Sequence, residues 1–418
     1  MASRLAITTL QGMDIRKLST MALRLRRHLQ WPNAEITDVL ALDLIAALPD
    51  LPDWSTVVAS QRSIANRWLD WACFQRLSER IAECLMITLD PAALVALLTT
   101  EFDSIKKIRK RGPFRVVRLA PEYSSIAYLM DTAVRQLKEL PDFSGDKGIL
   151  VTSDFGGEHS SALFNTYSFV FVAQDKSSVF EQEIKELRSK HGLLDTYSEF
   201  KFKDLAYGPR SRALPGFLSL VDKYIHGAVV TIAVEKKIET LFGPSKQQAH
   251  ARLVETLAQK GLGDWTGAAA EKVLRVCHFL AILSSLMLCD RQKMVWYCDN
   301  DTINENGKKR SFQDTGKIFE SVSDLYAIQK LDGLGFGKSF ADKGYMDDIL
   351  SIADFAAGVA QDLLKGHVTN ENIPGGEEKI ALIKWMAEPA TFLSKINIQI
   401  SRLENGELGA GLVAITPK

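Results

Sequence analysis

An α/β protein with a mixed sheet, preceded by an all-helical N-terminal region, is the fold class the sequence predicts, and three observations carry the prediction. Apolar residues recur at helical spacing through roughly the first third of the chain. From Gly148 the texture changes to runs of β-branched and aromatic residues. Beyond two such runs, strand-like and helix-like segments alternate, which is the pattern of a sheet covered by helices.

The helical region shows Leu18, Met21, Leu23 and Leu25, then Val39 to Leu48, Trp68 to Leu85, and Ala92 to Leu98, punctuated by Pro32, Pro49 and Pro52. Gly112-Pro113 breaks the pattern after a basic run. GILVTSD then reads as a buried strand ending in an acid, and Phe164 to Ala173 as its hairpin partner across the loop FGGEHSS. A helix is expected over Val179 to Lys190, followed by the segment SEFKFKDL, an amphipathic helix at Leu214 to Ile225 and a strand at Ala228 to Val234. A long helical stretch from about Gln247 to Leu288 precedes the strand MVWYCD, and the last strong helix spans about Met346 to Leu364.

The composition is that of an ordered globular protein, with 46% hydrophobic and 24% charged residues among 418. Lys+Arg and Asp+Glu both number 51, which excludes a uniformly basic nucleic-acid coat. The five cysteines form no C-x-x-C pair, so neither a zinc ribbon nor a disulfide framework is expected. They read as reduced thiols in the cytoplasm. The opening residues lack a signal-peptide core, and Val276 to Cys289, the longest apolar stretch, contains His278 and is too short to span a bilayer. No membrane association is expected, and oligomeric state stays open.

The acids are the most informative residues. Asp154 ends a hydrophobic strand, Glu199 lies in SEFKF, Asp299 and Asp301 follow MVWYC, and Asp354 interrupts the apolar helix face ILSIADFAAG. A carboxylate on such a face is costly to bury without a counter-charge. Acids converging from two strands and a helix suit Mg2+ or Mn2+, hard cations that take oxygen ligands. Two such ions about 3.5 to 4 Å apart would stabilise the attacking water and the leaving oxygen of a phosphodiester. Any one of these acids alone is more often a turn residue or a helix cap, so their joint placement carries the argument. Asp299 and Asp301 compete for one ligand position, and Asp299 is preferred because it directly ends the strand.

The segment Lys106 to Arg118 holds seven basic residues in thirteen, and Lys107, Arg109, Lys110 and Arg111 are the expected contacts to a nucleic-acid backbone on the face of the acids. A solvated helix end is an equally good account of that run. Gly337-Lys338-Ser339 matches the end of a P-loop, but Asp332 replaces its first glycine, so nucleotide binding there is not expected. His278 reads as a core histidine and His159 as a solvated loop residue.

GILVTSDFGG, FNTYSFVFV, SEFKFKDL, VWYCDND and GKSFADKGYMDDILSIADFAAG together resemble a bacterial family of RNase H-like proteins of unassigned function, over roughly residues 148 to 365. That family opens with a strand ending Asp-Glu-Ser-Gly and closes with a helix reading Leu-Gln-Leu-Ala-Asp-Leu-Val-Ala-Gly. Here Ile352 to Gly358 keeps the Ala-Asp and Ala-Gly spacing, whereas Phe155-Gly156-Gly157 replaces Glu-Ser-Gly and Ser351 replaces Gln. Glu158 is the nearest substitute for the missing acid. The resemblance implies an RNase H-like mixed sheet with flanking helices at 146–370, carrying a helical insertion at about 245–290. A helical N-terminal domain at 1–145 and a C-terminal extension at 371–418 complete the expected organisation. It implies metal-binding acids at Asp154, Glu199, Asp299 and Asp354, hence a divalent-metal-dependent nuclease acting on DNA or RNA, in the kind of setting where bacteria defend themselves against mobile elements. The alternative, favoured by the missing acid, is a catalytically inactive RNase H-like module that binds nucleic acid or a protein partner.

Overall fold

The computed structural model describes residues 13, 15–29, 36–64, 67, 69–99, 109–118, 120, 123–194, 197–304, 310–327, 329–339, 343–371, 373 and 375–415. Trp68, Lys106 and Lys107 lie outside these residues. The chain divides into two compact units, Met1–Lys107 and Ile108–Lys418.

The described elements of the first unit are helices α1 (Ile15–Leu29), α2 (Asp38–Ile45), α3 (Trp54–Ala59), α4 (Gln61–Ile64), α5 (Trp71–Leu85) and α6 (Pro91–Thr99). Side-chain caps start three of them: Thr37, Asp53 and Asp70 accept from backbone N–H groups of the first turn. Leu18, Leu25, Leu44, Phe74, Leu77 and Ile81 close a core of this unit's own.

The second unit is built on a seven-stranded mixed sheet. Short strands β1 (Arg109–Arg111) and β2 (Glu139–Pro141) pair with each other, flanking α7 (Ser124–Val134). Then follow β3 (Gly148–Gly156), β4 (Phe164–Ala173), α8 (Ser178–His191), α9 (Gly208–Tyr224), β5 (Gly227–Glu235), α10 (Lys246–Gln259), α11 (Gly267–Met287) and β6 (Lys293–Cys298). The chain continues through α12 (Phe312–Tyr326), β7 (Gly333–Lys338), α13 (Tyr345–Thr369), α14 (Glu377–Ala387), β8 (Leu393–Arg402) and β9 (Leu408–Leu412). In space the order is β7-β6-β3-β4-β5-β8-β9; β4 and β9 run against the other five. Alternate residues of the central strands feed two cores. Ile149, Val151, Phe169 and Phe171 pack with α7, α10, α11 and α12, whereas Leu150, Val170 and Val172 pack with α8, α9, α13 and α14. No described helix is long and apolar enough to cross a membrane.

Four features differ from the sequence-based expectation. Residues 108–145 belong to the sheet unit, because Phe114, Val116, Ile126 and Met130 pack into its core. The stretch 247–288 is two helices, parted where Gly261 and Gly263 adopt positive φ, and α11 is a core layer of the sheet rather than an appended insertion. The residues beyond 371 supply α14 and two further strands. KINIQIS alternates Ile396, Ile398 and Ile400 toward the core. The glycine-rich β7 at the sheet edge had no strand signal.

Candidate active site

Parallel pairing places the ends of β3 and β6 side by side, with Ser153 opposite Cys298. Asp154 and Asp299, each one residue further on, therefore emerge together, and the Asp299 N–H donates to the Ser153 carbonyl at 3.3 Å. Along β3 the alternation sends Leu150, Thr152 and Asp154 toward α13, while Ser153 and Phe155 face the opposite layer, Ser153 accepting from the Trp296 indole at 2.8 Å. The Thr152 hydroxyl donates to the Ile349 carbonyl of α13 at 3.2 Å. About one and a half turns on, α13 presents Asp354, whose carboxyl is in hydrogen-bonding contact with that of Asp154.

The electrostatics follow from that contact. Burial pushes the Asp154 carboxyl well above the usual range, and the charges of Asp354 and Asp299 push it further. Burial also raises Asp354, opposed by the Phe202 N–H and by the hydrogen bond with Asp154. Two carboxyls in contact do not both ionise readily, so the pair favours a shared proton. Both residues are half-buried and reach solvent on one side.

The loop over the pair is anchored from below. Arg188 of α8, 1% exposed, forms a bidentate ion pair with Asp348 of α13, itself fully buried. The same guanidinium donates to the carbonyls of Leu193 at 3.1 Å and Ser198 at 2.7 Å and stacks on the Tyr197 ring at 3.9 Å. The Tyr197 hydroxyl in turn donates to Asp348. So held, the loop sets the Phe202 N–H 2.6 Å from the Asp354 carboxylate. The Phe202 ring lies over Gly358, where an added Cβ would come within 2.5 Å of it. Only glycine allows that approach, which gives the Ala-Gly of ADFAAG a physical role.

Glu199 does not join the carboxyl pair. Lys201 bonds it at 2.8 Å and Lys343 makes a close second ion pair; burial raises its pKa, but these two lysines outweigh that and hold it low. Lys201 is held protonated by Glu199 first and by the charges of Asp299 and Asp354 next. In this structure Glu199, expected as a metal ligand, anchors two lysines. Asp301 is spent on the opposite layer, where Lys272 of α11 bonds it at 2.7 Å and also pairs with Glu158. This separates Asp299 from Asp301 and removes Glu158 as the substitute acid. His159 bonds Ser161 at 3.0 Å on the surface.

Asp154, Asp354 and Asp299 offer only hard oxygen donors, and Mg2+ is commonly held by one or two carboxylates while keeping several waters. That chemistry fits the pair with Asp299 beside it. Among the described residues no three acids, histidines or cysteines close around one point, so the residues would supply a partial shell rather than a cage.

The basic run lies elsewhere. Arg109 pairs with Glu139 at 3.1 Å and donates to the carbonyls of Ala390 and Thr391 at 2.9 and 3.1 Å, just before β8 begins. Register carries that position through Gly227 and Val172 to Leu150, near the start of β3. Arg109 thus sits at the end of the sheet remote from Asp154, about 20 Å away along the strand, and the expectation that Arg109, Lys110 and Arg111 share the face of the acids is corrected. A cation that acts on the acids is Lys201, which sequence reasoning passed over; it stood in the motif SEFKFKDL, but a single lysine gives no signal of proximity. Lys338 is a buried residue of β7, so the P-loop-like glycines are part of a strand. Neither protein-family models, nor curated proteins, nor solved structures give a match to this chain.

Proposed function

We propose that this protein is a divalent-metal-dependent nuclease of RNase H-like fold, hydrolysing phosphodiester bonds at the acids gathered by β3, β6 and α13. The observation that carries the proposal is the contact between the carboxyls of Asp154 and Asp354, two like charges pressed together at the ends of a hydrophobic strand and on an apolar helix. Such an arrangement costs stability and is found where chemistry requires it. The mixed sheet, in which β4 alone of its first five strands is reversed, supports the RNase H-like fold that the sequence resemblance implies.

Asp154 and Asp354 would hold Mg2+ or Mn2+ after giving up their shared proton, with the charge of Asp299 acting on the pair. The bound cation supplies the charge that offsets the developing negative charge on a phosphoryl group and activates water. The chain's own residues do the rest. The Phe202 N–H fixes the rotamer of Asp354, and Lys201 brings to the acids a positive charge that would attract a phosphate. Incubation with single- and double-stranded DNA and RNA in Mg2+ or Mn2+ tests this reading. Cleavage leaving 3′-hydroxyl ends, abolished by EDTA and by Asp154→Asn, is expected.

A second reading, an inactive RNase H-like module that binds nucleic acid or a protein, is favoured by one observation. Phe155 stands where the resembling family has a glutamate, and Glu158 is engaged by Lys272. Binding without cleavage in the same experiment would select it.

A further inference from the structure

A cleft of about 600 Å³ opens between Gly192 and Leu193 after α8, residues 197–207, the start of α9 and Lys343. Its size is that of a small-ligand site. Glu199 and Lys201 form one wall, and Lys201 also feels the charges of Asp299 and Asp354, so the cleft is continuous in charge with the acid pair. Lys201, Arg210 and Lys343 line it beside Glu199 and Asp204, and Asp347 pairs with Lys343 from behind, so the wall is a network of paired charges. At its rim Tyr207 is 57% exposed and belongs to none of the cores. The Arg210 guanidinium lies 5.3 Å from the Tyr207 ring centre and is itself fixed, donating to the Ser198 hydroxyl at 3.1 Å and to the Asp204 carbonyl at 3.3 Å.

We propose that this cleft receives an unpaired nucleotide of a single-stranded nucleic acid, its base stacked on the Tyr207–Arg210 pair and its phosphate drawn by Lys201 and Lys343 toward the acids. The proposal rests on the nuclease reading and narrows its substrate to single strands. An exposed aromatic ring held beside a fixed guanidinium is the platform that unpaired bases use, because every base has a π-face whereas the bases of a duplex are already stacked on one another. A base reaches the exposed face of that ring only when it is splayed out of the helix. Cations alone would take any phosphate, and the aromatic pair is what selects the unpaired base.

The test is fluorescence anisotropy of the full chain, without divalent metal, against single-stranded and blunt duplex oligonucleotides of one sequence, as DNA and as RNA. Single strands of at least one sugar type are expected to bind about tenfold more tightly than duplex. Tyr207→Ala should weaken single-strand binding about tenfold and leave duplex binding unchanged, whereas Tyr207→Phe, which keeps the ring, should restore it. Equal affinity for single strand and duplex, or single-strand affinity untouched by Tyr207→Ala, overturns the proposal. Metal-dependent cleavage that does not depend on Tyr207 would sink this inference and spare the nuclease reading. Tyr207-dependent binding with no cleavage in any metal would uphold the inference and sink the nuclease.

Discussion

The carboxyl groups of Asp154, two residues before the end of β3, and Asp354, in the middle of α13, are in hydrogen-bonding contact and hold a proton above the usual carboxylate range. In the metal-free protein the folded state therefore binds more protons than the unfolded chain, and this pair's contribution to stability falls as pH rises from the unfolded value of about 4 through the raised folded value. Asp154→Asn should stabilise the metal-free protein near pH 8, where repulsion between the two carboxylates is greatest. Millimolar Mg2+ or Mn2+ should raise the melting temperature of the wild type and leave that of Asp154→Asn unmoved, since the cation binds only the folded site. Scanning calorimetry with and without metal at pH 8 checks both, and a wild-type melting temperature indifferent to metal would remove the site.

Gly358→Ala tests the seating of the loop over the acids. A methyl group there collides with the Phe202 ring, which should shift the Phe202 N–H away from Asp354 and lower cleavage by about 10- to 100-fold, the scale of a lost supporting interaction at a metal ligand. The stability cost should be about 1–3 kcal/mol, as for overpacking elsewhere. Urea melts and rate measurements on the same preparation separate the two effects.

Arg188→Ala should be far more damaging to the fold. It leaves the fully buried Asp348 carboxylate without its ion-pair partner and removes the donors to the Leu193 and Ser198 carbonyls, with an expected loss of about 3–5 kcal/mol. A variant within 1 kcal/mol of wild type would show that the loop is held by other means.

His278 makes a pH prediction independent of the acids. It is buried on α11, bonded through Nδ1 to the Tyr326 hydroxyl at 2.6 Å, while its Nε2 is buried without a hydrogen-bond partner. Burial lowers its pKa to about 3. The unfolded chain, titrating near 6.5, binds a proton that the folded chain refuses, so stability is full above pH 6.5 and falls as pH drops toward 3. Between pH 7.5 and 5.0 this group should cost about 2 kcal/mol. The double variant His278→Phe, Tyr326→Phe should lack that component in urea unfolding at the two pH values.

Legibility in the sequence followed physical range. Strand β3 was visible because GILVTSD opens on an apolar, β-branched run and ends in an acid, and α13 because its apolar residues recur at helical spacing around Asp354. That Asp154 and Asp354 meet depends on strand register and on the Thr152–Ile349 contact, which no local pattern encodes. Glu199 stood in a well-chosen segment, yet its partner Lys343 comes from a distant loop, so its diversion from the acids was hidden. Arg109 looked like a solvent-facing cation because its acceptors, the carbonyls of Ala390 and Thr391, carry no sequence signature at all. The edge strand β7 escaped because its pairing with β6 uses backbone atoms that glycine supplies as well as valine does.

The measurement closest to the central claim is the single-turnover rate of Mg2+- or Mn2+-dependent cleavage of a single-stranded oligonucleotide by wild type and by Asp354→Asn, with folding of both verified by calorimetry. The account predicts cleavage by the wild type and a rate at least about a hundredfold lower in the variant, the scale on which a directly acting electrostatic group is felt. Equal rates in the two proteins, or no cleavage of any single-stranded DNA or RNA by a wild type whose melting temperature responds to the metal, would contradict it.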